Sequence, residues 1–289
     1  MLRYLLPALV ALAPAWCWGA SYNASPYYSS PYQSSPYFNR PGSSPSYDLE
    51  TGMVLHLTLN ETSGTSIADA TGLHSPGTFA GDTLATTAGP TSLGGTAVDL
   101  NGTNQTVSFA HAADLEPTAN MTFAAWIKTT STAETFLFSK LPASGFGGGY
   151  EIGMTDAGRV RIVMRTTGTL FNWTPTTGAT FNDGNWHHVV WSIRTESGTT
   201  YGKGYIDGVE VANVSGTGWS PVAAGSTPFY VGSRRAGAPW WPGGVKDMRI
   251  YRDRTLTDDE VAALYAWVPD GPPPAGGGLL NIFLRVSNQ

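Results

Sequence analysis

The sequence predicts an all-β protein: an antiparallel jelly-roll β-sandwich with one short C-terminal helix, flanked by extended low-complexity tails. Composition is the first reason. Only 13% of the 289 residues are charged, 12% are aromatic and 35 are Gly, which suits many short strands joined by tight turns. Alternation is the second. Met53, Leu55, Leu57 and Leu59 alternate with Val54, His56 and Thr58, as in a half-buried strand. The third is a strand–turn–strand, Tyr205-Ile206-Asp207-Gly208-Val209-Glu210-Val211, in which Asp207-Gly208 carries the type I′ signature of a two-residue hairpin.

The chain divides by composition. Residues 1–20 have a basic start at Arg3, an apolar run from Leu5 to Leu12 and a small-residue end, the layout of a secretory signal too short to span a membrane. Cys17 is the sole cysteine, so no internal disulfide forms, and Pro14-Ala15-Trp16 before it poorly matches an acylation box. In residues 21–48 Pro26, Pro31, Pro36 and Pro41 recur every five residues within a Ser-Pro-Tyr repeat. Proline blocks helix and ladder donation, so this segment is an extended linker, or a strap whose tyrosines dock elsewhere. The globular domain covers 49–268. Residues 269–278 are a Pro/Gly linker, and 279–289 a strand-like tail in which Leu280, Ile282, Leu284 and Val286 alternate with other residues.

Within the domain, Asp183-Gly184-Asn185-Trp186-His187-His188-Val189-Val190-Trp191-Ser192-Ile193 runs from a turn into a strand. Side chains alternate across it, so Trp186, His188, Val190 and Ser192 share one face and His187, Val189, Trp191 and Ile193 the other. Trp186 is expected to face the core. The adjacent histidines point apart, so they cannot chelate one ion together. Phe136–Lys140 and Arg159–Val163 supply further strands, and Thr257-Asp258-Asp259-Glu260 is a capping box that starts the helix.

Together these stretches resemble the laminin-G-like, concanavalin A-like lectin/glucanase jelly-roll family. The "DGxWHHV" strand and "YxDGxxV" hairpin carry most of the likeness. Ile67–His74, Ala97–Gly102 with Gln105–Phe109, Thr122–Lys128, Phe229–Gly232 and Gly244–Tyr251 resemble its other signatures. The resemblance implies a recognition module. It also implies one calcium ion at the sandwich rim, with Asp99, Asn101 and Asp247 as candidate ligands. Lys246 stands where the family has an acidic residue, and its ammonium opposes a cation.

Catalysis is not expected. The glucanases of the family place carboxylates along one strand as Glu-x-Asp-x-x-Glu; here Glu151-Ile152-Gly153-Met154-Thr155-Asp156 lacks the middle acid, and Asp156 faces away from Glu151. A net charge of −5 argues against nucleic acid as a partner. Carbohydrate binding rests on loop aromatics and a basic pair: Trp219, Trp240 and Trp241 with Arg234 and Arg235. The same tryptophans would equally serve to cap the open ends of the sandwich. The expected function is thus a secreted or particle-displayed glycan- or polysaccharide-binding module. The alternative is a structural subunit of a cell envelope or virion, assembled through its tails.

Overall fold

The computed structural model describes residues 47–142, 147–166, 170–173, 178–235 and 237–267. The signal-like segment, nearly all of the Ser-Pro-Tyr tract, and the expected strand in 279–289 lie outside the described residues.

Two eight-stranded antiparallel sheets form the sandwich. One runs, in spatial order, through Val209–Thr217, Thr199–Ile206, Trp186–Glu196, Asn120–Lys128, Pro242–Arg252, Thr96–Asn101 and Ala85–Ala88, with Met53–Leu57 beside Pro242–Arg252. The other runs through Leu170–Trp173, Val160–Arg165, Gly149–Met154, Thr135–Lys140, Phe229–Val231, Thr106–Phe109, Gly77–Ala80 and Ser66–Ile67. We call them the helix-side and arginine-side sheets. A short ribbon, Ser233–Arg234 with Gly237–Trp240, lies apart from both ladders.

Alternation decides what fills the space between the sheets. From the helix-side sheet come Leu55, Leu57, Phe123, Ile127, Val189, Trp191 and Ile193, and from the other come Phe109, Phe138, Tyr150, Ile152, Met164 and Phe229, all in one buried cluster. Thus the inward face of Trp186–Glu196 is the Val189–Trp191–Ile193 face, not the Trp186 face that the sequence suggested. Trp186 is only half-buried, on the outer side, and its Nε1 donates to the Ala88 carbonyl at 2.9 Å. The reason is a second apolar layer. The helix Asp258–Tyr265 sits on the outer face, where Val261, Leu264 and Leu256 bury Ala124, Val190, Tyr205 and Tyr251. Both faces of the strand therefore read as apolar, and alternation alone does not say which is the core.

Local chemistry fixes the ends. The helix starts at the expected capping box: the Thr257 side chain accepts from Glu260 N at 3.3 Å, and Glu260 Oε2 accepts from Thr257 N at 2.9 Å. Asp207 and Gly208 have φ of 52° and 77°, the left-handed pair that a type I′ turn needs. The Asp207 carboxylate reaches back across the turn to accept from His188 N at 2.9 Å and to meet His187 Nδ1 at 2.7 Å. No helix among the described residues is long and apolar enough to cross a membrane.

Candidate functional site

The outer face of the arginine-side sheet gathers charge in a way the sequence did not show. Tyr150, Ile152 and Met154 point into the core, so Glu151 and Gly153 point outward. The same rule turns Arg161, Val163 and Arg165 outward on the next strand. The ribbon then brings Arg234 against this face. Glu151, with no exposed surface, accepts from Arg234 Nε through Oε1, from Arg234 Nη2 through Oε2 at 3.2 Å and from Arg165 Nη2 at 3.3 Å. Phe136 is buried beneath the guanidinium groups of Arg234 and Arg161, at 5.4 and 5.6 Å from its ring centre. Arg161 pairs with the exposed Glu134.

Arg235 follows Arg234 at the tip of the ribbon, with φ of 55°. Among the described residues its guanidinium has no carboxylate partner. Burial, and then the neighbouring Arg234 charge, push its pKa below the usual value. Three guanidinium groups thus share Glu151 and Glu134, and Arg235, the fourth, stands free on the positive ledge they form. Ser139 Oγ, buried on the same face beside Glu151, also lacks a hydrogen-bond partner.

The expected aromatic platform is only partly present. Trp219 and Trp241 are 2% and 1% exposed and belong to the inter-sheet core, Trp241 stacking on Phe181 at 6.5 Å. Neither offers a ring face to solvent; they close the sandwich, because flanking prolines fix a chain's path without fixing its exposure. Trp240, half-buried on the ribbon opposite Ser233, is the one of the three candidate indoles that the core does not enclose. Arg165 and Glu151 complete the cluster. Their signal was alternation against the core residues of two neighbouring strands, which needs the strand order to be read.

Two of the three calcium candidates are already engaged by protein groups. Asp247 sits in a bulge with φ of 49°, its buried carboxylate held by His56 Nε2 at 2.6 Å and Arg249 Nη2 at 3.0 Å. Burial opposes its charge, but those two partners hold its pKa below the usual range. Asn101 is occupied locally: Oδ1 accepts from Thr103 N at 2.9 Å and Asn104 N at 3.2 Å, while Nδ2 donates to Asp82 and Asn104. Asp99 is half-buried on the outer face of the helix-side sheet. Among the described residues, no three His, Cys, Asp or Glu side chains converge as a metal-holding group. A rim calcium would have to displace the partners that Asn101 and Asp247 already hold.

The two histidines serve the framework. His187 bridges Asp207 and Asp183, at 2.7 and 3.1 Å. His188 is buried against Trp126 and Tyr265, with Nδ1 unpartnered, and burial lowers its pKa to about 4.

Among curated proteins none matches the chain. Solved structures of similar fold include domain 4 of the extracellular arabinanase AbnA from Geobacillus stearothermophilus, in complex with arabinotriose: 24% identity, TM-score 0.51, covering 74% of this chain and 98% of that one. The binding domain of Paraclostridial Mosquitocidal Protein 1 follows at 17% identity and TM-score 0.54, covering 74% of this chain and 52% of its own. The binding domain of botulinum neurotoxin serotype D is similar at 14% identity and TM-score 0.51, again over 74% of this chain, which spans 50% of that domain. A laminin-G family model, described as the concanavalin A-like lectin/glucanases superfamily, matches residues 101–262, more than half of the sequence. The chain belongs to that superfamily.

Proposed function

We propose that this protein is a non-enzymatic carbohydrate-binding module, secreted or surface-displayed, whose arginine ledge takes an acidic glycan. One observation carries the reading: the Arg235 guanidinium stands unpaired beside Arg234 and Arg165, which already share one buried carboxylate. A guanidinium presents forked donors that match a sugar carboxylate or sulfate in two parallel hydrogen bonds. Trp240, half-buried on the ribbon that carries Arg234, supplies a flat apolar surface for the C–H face of a ring. The arabinanase domain was solved with arabinotriose, so the sandwich hosts a sugar in that protein.

The same geometry argues against hydrolysis. A glycosidase needs one carboxyl free to give a proton and another free to attack or activate water. Glu151 is enclosed, with both oxygens engaged by arginines, and Asp156 lies beyond the strand end on an exposed turn. Glu151 is thus the ledge's counter-ion rather than an acid or base.

A glycan array carrying sialylated, uronate and sulfated sugars tests the reading. The intact chain should bind an acidic class, and Arg235→Ala should weaken binding about ten- to a hundredfold, the loss of a hydrogen bond to a charged group. Its melting temperature should hold, because no protein group depends on that side chain. An array without acidic hits would overturn the proposal and favour a structural role for the tails.

A further inference from the structure

A second groove opens on the other side of the molecule, across the outer face of the helix-side sheet. It holds about 450 Å³ and is lined by Thr87, Asp99, Lys128, the Thr129–Ser131 turn and the Gly243–Gly244 backbone. Strand register explains why these residues meet. Lys128 pairs with Trp186 on one side and with Gly244 on the other, and Gly244 pairs with Asp99, so one row across four strands puts them all outward.

Three details make this a built site rather than a gap. First, the Trp186 ring packs on Gly244 and fixes the backbone that forms the groove's floor. A Cβ placed on Gly244 would lie 2.6 Å from the Trp186 ring, so the indole rests against bare backbone where no other residue fits. Its Nε1 bond to the Ala88 carbonyl holds the ring's angle. Second, Asp99 and Lys128 face the same groove, yet neither has a hydrogen bond or an ion pair among the described residues. Burial raises the Asp99 pKa and Lys128 opposes the rise, so the two feel each other across the gap without closing it. An unpaired, half-buried carboxylate is costly, and proteins normally satisfy it. Third, short hydroxyl side chains, Thr87, Thr130 and Ser131, line the rest, with Gly243 and Gly244 giving close access to backbone.

We propose that Asp99 and Lys128, with the Thr129–Ser131 turn and the Gly243–Gly244 backbone, frame a second saccharide site, which takes a neutral sugar residue through a vicinal diol. The chemistry selects that class. The ligand must donate to a carboxylate and accept from an ammonium that line one groove, while bringing no net charge to a balanced pair. A diol does both, since each hydroxyl is donor and acceptor. The volume falls within the ~300–1,000 Å³ of small-ligand sites. This site goes beyond the arginine ledge: it lies on the opposite outer face and takes an uncharged ligand. A module with both sites would bridge two chains of a matrix, gaining avidity from linkage rather than from either contact alone.

Titration calorimetry of the full chain against cellotriose, xylotriose, mannotriose and maltotriose, with glycine as a zwitterionic control, tests the proposal. At least one trisaccharide should bind. Asp99→Asn and Lys128→Met should each weaken it about ten- to a hundredfold, the range for a hydrogen bond to a charged group. Arg235→Ala, on the other face, should leave that binding unchanged. Both groove variants should keep the parent's melting temperature, since neither side chain has a partner to lose. The proposal is overturned by a panel with no binding, by binding that survives both groove substitutions, or by binding of glycine in place of the sugars. Loss of acidic-glycan binding in Arg235→Ala bears only on the ledge.

Discussion

The outer faces of the two sheets handle a sheet's second side in opposite ways. On the helix-side sheet, the middle of the face is apolar and covered, with Ala124, Val190, Tyr205 and Tyr251 under the helix and His188 enclosed beside them. On the arginine-side sheet, the corresponding surface is charged, with Glu151 and Phe136 buried under guanidinium groups. Apolar cover gains stability from area removed from water. Guanidinium cover gains little net stability, because desolvation offsets attraction, but it leaves directed donors at the surface. The difference separates scaffold from site: one face is filled, and the other is equipped.

Leu264→Ala, under the helix, should give the largest change. Leu264 is 1% exposed, and truncation there should cost about 2–5 kcal/mol in denaturant unfolding. A loss under about 1 kcal/mol, the size expected of a surface change, would show that the helix is not seated and would erase the contrast.

His188 sharpens the comparison through pH. Burial holds its pKa down at about 4, so it is neutral in the folded protein and charged in the unfolded chain at mild acidity. A depressed histidine contributes fully above its unfolded pKa of about 6.5 and loses that contribution as pH falls through 4, roughly 3 kcal/mol in all. His74 and His187 work the other way. Burial opposes their charge, but paired carboxylates win and raise both, so their contribution is present below pH ~6.5 and fades as pH rises. The wild-type melting curve mixes these signs, so the informative quantity is its difference from His188→Gln. That difference should shift in the variant's favour between pH 6.5 and 4. A constant difference over that window would mean that the imidazole titrates as if in water.

The framework was more legible in the sequence than the site. The type I′ turn at Asp207-Gly208 and the capping box at Thr257 announce themselves because their chemistry is local: a left-handed pair, and a reciprocal side-chain exchange over three residues. The inward face of Trp186–Glu196 was misread, since the helix gives the strand two apolar faces. Trp219 and Trp241 looked like loop platforms, but the core reaches the sandwich ends and takes both. Asp247 looked like a ligand until the bulge turned it onto Arg249 and His56. Arg165 and Lys128 could not be found at all. Each matters only beside residues from strands distant in sequence, Glu151 with Arg234 and Asp99 with Trp186, and strand order is a tertiary property.

The position of the strand Pro242–Arg252 has a consequence for how the chain is made. Among the described residues it is the last strand in sequence, yet it lies inside its sheet, hydrogen-bonded to Asn120–Lys128 on one side and to Thr96–Asn101 and Met53–Leu57 on the other. Three earlier strands therefore emerge from the ribosome with an unpaired edge and wait for it. Local pairs such as Ala85–Ala88 with Thr96–Asn101, Gly149–Met154 with Val160–Arg165, and the meander 186–217 can form as they are synthesised, but they do not close the sheet. Closure of the helix-side sheet is thus a late step, and the edges of those three strands stay open until residue 252 has left the ribosome. Chains released after Trp241 should be digested over 53–128 by a dilute protease, whereas chains released after Trp267 should resist. Resistance of the shorter chain over 53–128 would show that the sheet closes without its last strand.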